Sequence, residues 1–224
     1  MMRSQVREFK RERVLEEATK LFYERGFQGS SIDAIADRLS VTKPFIYTYF
    51  DNKHALLEAI YERAVKNLNS GVDDIFSVDH PPEEQLRLLV EFYVRQNIES
   101  RELTAIFLNE ERNLSAEKLA EIRAEQREFD RKLTALIRKG VKAGTFSVED
   151  PAMASLSISG MVRWVHRWYA PEGRLDADQI CRSLATLALR MVGYKEPARR
   201  ARPGAAAAKK ASPAPRAAAK KRAK

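Results

Sequence analysis

A single cysteine, Cys181, excludes an intrachain disulfide, and three histidines are too few and too scattered to make a cluster with zinc-ligand spacing. No apolar run approaches the length of a bilayer-crossing helix. The opening MMRSQVREFKRER is too charged for a secretory signal peptide, so the cytoplasm is the expected compartment. Convincing strand alternation is missing throughout. Enzyme signatures are missing as well. Gly26 and Gly29 do not make a phosphate-cradling G-x-G-x-x-G, no G-x-S-x-G occurs, and Cys181 has no histidine near it in sequence. Glu110 and Glu111 adjoin on a helix and so point apart, which is poor geometry for a carboxylate pair. No cofactor, metal or catalytic residue is therefore expected.

Nor is there an excess of positive charge where it would matter most. The formal charge of +9 belongs to residues 197–224, which carry ten Lys/Arg and no acid and leave the first 196 residues at −1. Residues 1–53 sum to +2 and residues 54–196 to −3. Any nucleic-acid reading must rest on local placement of side chains, not on isoelectric point. Residues 197–224 hold Ala, Pro, Lys and Arg with no aromatic or large aliphatic side chain, and read as a disordered basic tail.

What is present is helical periodicity, and the expected class is all-α. Helix one spans Val6 to Arg25, with Val14, Ala18, Leu21 and Phe22 on one face and Gly26 as its stop. Ile32, Ile35, Ala36 and Leu39 mark helix two, capped by Ser30 or Ser31, with Asp33 placed as a capping-box acid. A turn at Ser40-Val41 leads to helix three, with Thr42 as N-cap and Pro44 in the first turn. Ile46 and Phe50 face inward with Val41, which pushes Lys43, Pro44, Phe45, Tyr47 and Thr48 outward. Bulk and a cation on an outer face are odd for a small solvated helix, and this one reads as the second half of a DNA-binding helix-turn-helix. Asn52 caps helix four, and Lys53 directly after that cap opposes the helix macrodipole. A lysine beside free N–H groups makes a phosphate clamp.

Helix four should run through Leu56, Leu57, Ile60, Ala64 and Leu68 to Gly71, followed by a break over 71–82. Leu86, Leu89, Val90 and Tyr93 mark helix five, Leu103 to Leu108 helix six, and Ser115 to about Lys142 the longest, ended by Gly144. Asp150-Pro151 opens an eighth helix expected to continue through Trp168. Ile180, Leu184, Leu187 and Met191 form the apolar stripe of a ninth that stops at Gly193.

Over residues 14–57 the segments ATKLFYERGF, SIDAIAD, VTKPFIYTYF and NKHALLEA follow the order and spacing of the TetR/AcrR family of bacterial one-component regulators, which the chain resembles. The resemblance implies a DNA-binding domain over residues 1–52 and a ligand-binding and dimerisation domain over 53–196. It places helix three in the major groove, with Tyr47 and Lys53 on phosphates and Lys43, Pro44 and Thr48 at base-reading positions. Ser30, Ser31, Thr42, Phe45 and Tyr49 complete the expected DNA-binding set. One departure is Ser40, where the family usually has glycine, so an adjusted turn is expected.

The run GMVRWVHRWYAPEGRLDADQI is similar to the last helices of TetR-type repressors of fatty-acid, steroid and aromatic-acid catabolism, whose effectors are acyl-CoA thioesters. Over residues 82–150 only helix lengths and the pattern FLNEERNLS agree. Arg163 and Arg167 are four apart, as are Trp164 and Trp168, and the two pairs lie on neighbouring faces about 100° apart. Two readings stand. Either this is a dimer-interface helix with buried tryptophans and solvated arginines, or Arg163 or Arg167 grips CoA phosphates while Trp164 or Trp168 contacts acyl chain or adenine. Arg123 and Arg127 either add charge there or belong to a solvated face, and Tyr93, Phe107 and Phe129 are expected near the acyl chain. His166 reads as a packed histidine. The expected protein is a homodimeric repressor of a palindromic operator, released by an acyl-CoA. Its rivals are a TetR-type regulator of another small apolar ligand and an architectural protein binding DNA through the tail.

Overall fold

The computed structural model describes residues 2–196, and the predicted basic tail lies outside the described residues. Ten α-helices are present among them: α1 Met2–Arg25, α2 Ile32–Leu39, α3 Lys43–Tyr47, α4 Lys53–Ser77 and α5 Pro82–Glu99, then α6 Arg101–Asn109, α7 Ala116–Lys142, α8 Pro151–Arg163, α9 Val165–Trp168 and α10 Ala177–Met191. A 3-10 turn, Glu111–Asn113, joins α6 to α7. No strand occurs among the described residues.

Side-chain caps fix most of the helix starts. Ser31 Oγ accepts from Ala34 N at 3.1 Å, Asn52 Oδ1 from Ala55 N at 2.9 Å, and Ser115 Oγ from Lys118 N at 3.2 Å. Asp150 takes two free amides of α8, and Asp176 and Gln179 form a reciprocal capping box on α10. Asp33 does not close such a box on α2. With Ser31 as N-cap the third helical residue is Ala34, and Asp33 is free to take Lys43.

Two apolar cores result. The N-terminal one gathers Leu21, Phe22 and Phe27, Ile35, Ile46, and Leu56, Leu57 and Tyr61 of α4, and it draws in Ile106 of α6 and Ile122 of α7. The C-terminal one is built from α5, α7, α8 and α10, where Leu89, Val94, Leu133, Ile137, Ile158 and Ala185 interlock. Both cores use α4 and α7, so a shift of either helix is felt in both.

Four expectations change. Helix α4 continues through Gly71 to Ser77, because the glycine serves a crossing and not a stop. A Cβ there would lie 2.1 Å from Cζ of Phe92 on α5. The eighth helix breaks at Trp164. Asn97 Nδ2 donates to Val162 O and His166 Nδ1 to Arg163 O, both at 2.8 Å, which removes the carbonyls that residues 166 and 167 need to extend α8. On α10 the buried face is Ile180, Cys181, Leu184, Ala185 and Ala188, and the expected stripe residues Leu187 and Met191 are exposed. The helix-turn-helix turn is not adjusted. Ser40 takes the left-handed conformation itself, at φ 53°, with its amide bonded to Asp37 O at 3.1 Å.

A left-handed serine carries strain that glycine avoids. Ser40→Gly is expected to raise stability by roughly 0.5–1 kcal/mol, after allowing for the greater freedom of glycine in the unfolded chain. A denaturant titration checks this, and a lower midpoint would show that the Ser40 side chain contributes a contact that outweighs the strain.

Candidate DNA-reading face and ligand pocket

Helix α3 is held by Ile46 and Phe50, both buried, and presents Lys43, Pro44, Tyr47 and Thr48 to solvent. Thr42 caps it through backbone geometry alone, without a side-chain cap bond, and is exposed on the same face. Phe45 departs from the outward set. It is half-buried, meets Tyr49 edge-on at 5.3 Å and lies under Lys10, so these two rings support the face from within. Ser30 departs too. It is buried, and its hydroxyl is 2.7 Å from Gly26 O and 3.2 Å from Leu21 O, which ties off the end of α1. Lys43 Nζ donates to Asp33 at 2.8 Å, and that bond holds its ammonium above the usual lysine range. Both partners are exposed, so the pair is weak and open to exchange.

Lys53 is not a free clamp. Its Nζ donates to Phe27 O at 2.8 Å and to Ser30 O at 2.9 Å, 4.3 Å from the centre of the Phe27 ring. An ammonium has three N–H groups, and one remains. On the other side of the same loop, Phe27 N donates to Glu110 Oε1 at 3.2 Å. Asn113 Nδ2 donates to Glu110 Oε2 at 2.7 Å, and Gln28 Nε2 to Asn113 Oδ1 at 2.9 Å. The α6–α7 connection therefore grips the loop that Lys53 grips. Tyr61 reinforces the junction from α4, its hydroxyl 3.0 Å from Ile106 O and 2.8 Å from Phe107 O and its ring 4.9 Å from that of Phe107. Burial pushes its phenol well above the ordinary tyrosine range. Sequence reasoning missed this junction, because Glu110 and Phe27 are 83 residues apart and no local pattern links them.

Phe107 also faces a cavity of about 90 Å³, lined by residues of α4 to α8 and open to solvent on one side. Its walls include Leu68, Leu103, Phe129 and Tyr93, and its polar lining includes Gln96, Asn97, Gln126 and Arg163. The rings of Tyr93 and Phe129 pack against each other at 5.1 Å between centroids, their planes tilted by 52°. Burial pushes the Tyr93 phenol up, and the Arg163 guanidinium opposes that shift. Arg163 lies 3.6 Å from Asp130, which also accepts from Ser159. Of the side chains expected at a ligand, Tyr93, Phe107, Phe129 and Arg163 come together here. Arg123, Arg127, Trp164, Arg167 and Trp168 lie outside the lining. Arg123 pairs with Glu111 at 3.1 Å, and Arg127 is exposed on α7. Arg167 follows the break at Trp164 and is exposed, as are Trp164 and Trp168 at 60% and 48%. Asn97, one of two amides with Gln85 on the buried face of α5, was the signal available in the sequence for this pocket.

A third feature is apolar and uncovered. Met153, Leu156, Gly160 and Trp164 recur three, four and four apart on one side of α8, and Leu187 and Met191 are exposed on α10. A Cβ on Gly160 would touch nothing within 4 Å. His166, by contrast, is buried.

A helix-turn-helix with a cationic aromatic face, joined through a bonded loop to a helical domain with an internal cavity, defines a one-component DNA-binding regulator. The family description "Bacterial regulatory proteins, tetR family" matches residues 14–60, and "Tetracyclin repressor-like, C-terminal domain" matches residues 79–192. The chain belongs to the TetR family of transcriptional regulators. It is similar to the HTH-type transcriptional activator FasR of Mycolicibacterium smegmatis, 36% identical over 87 residues, a match spanning 39% of this chain and 40% of that protein. The HTH-type transcriptional repressor KstR2 of Rhodococcus jostii is 25% identical over 185 residues, 80% of this chain and 89% of that one. The crystal structure of AibR in complex with isovaleryl coenzyme A and operator DNA superposes with a TM-score of 0.73 at 27% identity, covering 80% of this chain and 97% of that one.

Lys53 and Tyr47 should respond differently to substitution. Lys53→Ala is expected to lose about 1–2 kcal/mol of stability, because two buried-side carbonyls lose a charged donor, and to weaken DNA binding as well. Tyr47→Phe should leave stability unchanged and weaken DNA binding alone. Melting curves and gel-shift titrations at fixed salt separate these outcomes, and equal melting temperatures for Lys53→Ala and the parent would contradict the clasp. Asp33→Asn should tighten DNA binding, since it frees Lys43 and removes a carboxylate from the docking face. Weaker binding in the same titration would count against that face.

Proposed function

We propose that the protein is a homodimeric repressor that holds a palindromic operator with residues 1–52 and is released when an acyl-CoA thioester enters residues 53–196. It would act on the nucleoid in the cytoplasm. The observation that carries this reading is the unbroken path from cavity wall to DNA face. Phe107 lines the cavity, Tyr61 and Glu110 tie α6 and its following turn to α4 and to the Phe27–Ser30 loop, and Lys53 sits on that loop at the start of α4. A ligand that displaces α6 shifts the loop and the recognition helix together.

On DNA, α3 lies in the major groove, with Lys43, Pro44 and Thr48 at base edges and Tyr47, Thr42 and Ser31 at the backbone. The third N–H of Lys53 and the free amides at the start of α4 take a phosphate. Two such helices must meet successive grooves roughly 34 Å apart, so a second subunit is required. The uncovered stripe of α8 and α10 supplies its contact, and Gly160 lets the helices approach closely. Release is a population shift. The ligand binds better to the conformation whose helices no longer match that spacing, and operator affinity falls by the same factor.

The similarity to AibR, whose complex holds isovaleryl coenzyme A, and the cavity lining support this effector class. Apolar walls receive an acyl chain, and Arg163 is the cation within the cavity. From Asn67, Ser100 and Leu103 a groove continues to Arg63 and Arg101, alongside Glu99 and Glu102. Arg101 has no ion-pair partner among the described residues and is the side chain best placed for CoA phosphates.

Gel shifts on an operator fragment test the reading. Acyl-CoA esters should release the protein while the matching free acids do not, and Arg163→Ala or Arg101→Ala should leave DNA binding intact and raise the releasing concentration about tenfold, the effect of one lost charge-assisted bond. Release by free acids at equal concentration would remove CoA from the account. Leu156→Glu should give a monomer by sedimentation and abolish operator binding, and a dimer that still binds would move the interface elsewhere.

A further inference from the structure

The tilted ring pair Tyr93 and Phe129 stands at the floor of the cavity and also lines a second, deeper void of about 10 Å³ walled by Leu89, Val90, Leu133, Ile158 and Val162. The exposed lining residues Asn67, Leu108 and Glu125 mark the mouth of the main cavity, and the buried ones, Tyr93, Asn97 and Phe129, mark its end. The ring pair is thus a partition between one apolar space and the start of another.

We infer that this partition sets the length of the acyl group the protein accepts, limiting it to short chains of about three to five carbons. This rests on the acyl-CoA reading above and adds a size limit to it. The argument is volumetric. An apolar cavity of about 150 Å³ is what a benzene ring needs, so 90 Å³ is room for roughly four heavy atoms. A steroid nucleus, an aromatic acid or a long fatty chain does not fit while the ring pair stays in place. The Tyr93 ring cannot swing aside freely, since its burial is nearly complete and the Arg163 guanidinium lies beside it. Phe129 is held between the two spaces, so removal of its ring joins them into one channel running toward Ile158 and Val162. Beyond the ring pair the core is built of buried apolar side chains, so a longer chain gains depth only by displacing them.

The test is operator release by a ladder of straight-chain acyl-CoA esters from two to sixteen carbons, run on the full-length protein and on Phe129→Ala. Phe129→Leu is run alongside in case the alanine variant does not fold, and melting curves with each ester serve as a second readout. For the parent the concentration for half-release should be lowest at three to five carbons and at least tenfold higher from eight carbons onward. Both variants should bind operator as the parent does and move the optimum longer by two or more carbons. A parent released best by long chains, or an optimum that stays put in both variants, overturns the partition while leaving the acyl-CoA reading standing. If no ester of any length releases the parent, the effector reading fails and the size limit falls with it.

Discussion

The Phe27–Ser30 loop is held from both sides, and that double grip is what the rest of the molecule is arranged around. Lys53 binds two of its carbonyls, and Glu110 binds the amide of the residue that supplies one of them. Phe27 is itself buried in the N-terminal core, with its ring against Phe22 and His54. A loop with its side chain in the core and its backbone committed to two different helices cannot move without moving both. Packed junctions resist gradual deformation and favour discrete arrangements, which is what the proposed ligand control of DNA binding requires.

Much of the fold was legible because it is local. Helix starts at Ser31, Asn52, Ser115 and Asp150, left-handed glycines at 26, 144 and 193, and the inward pair Ile46 and Phe50 are all decided by residues within one or two turns. The errors came where a distant partner overrides the local rule. Gly71 reads as a stop until the ring of Phe92 is seen to need its space. The run MVRWVHRWY reads as one helix until Asn97 takes the carbonyl of Val162. Because of that break, the expected arginine and tryptophan pairs do not act as pairs. Arg163 enters the cavity and the tryptophans face outward.

Lys53 shows how the two kinds of information combine. Its position, against the helix dipole, marked it as unusual from sequence alone, and the reason lies partly inside the protein. The cation that would hold a phosphate also fastens the loop through which the proposed ligand signal would arrive. Ser40 is similar on a smaller scale, since a strained turn is kept where glycine would serve, next to the proposed recognition helix. Local rules are broken here at the places where the proposed function needs a defined geometry.

The proposed coupling between the cavity and the DNA face runs through Glu110. The most direct test is the ratio of operator dissociation constants with and without saturating acyl-CoA, measured for the parent and for Glu110→Gln. Both proteins should bind operator and effector separately with similar affinity. The ratio, which measures the coupling between the sites, should fall at least fivefold in the variant. An unchanged ratio would mean that the signal travels by another route, and the account given for this junction would be wrong.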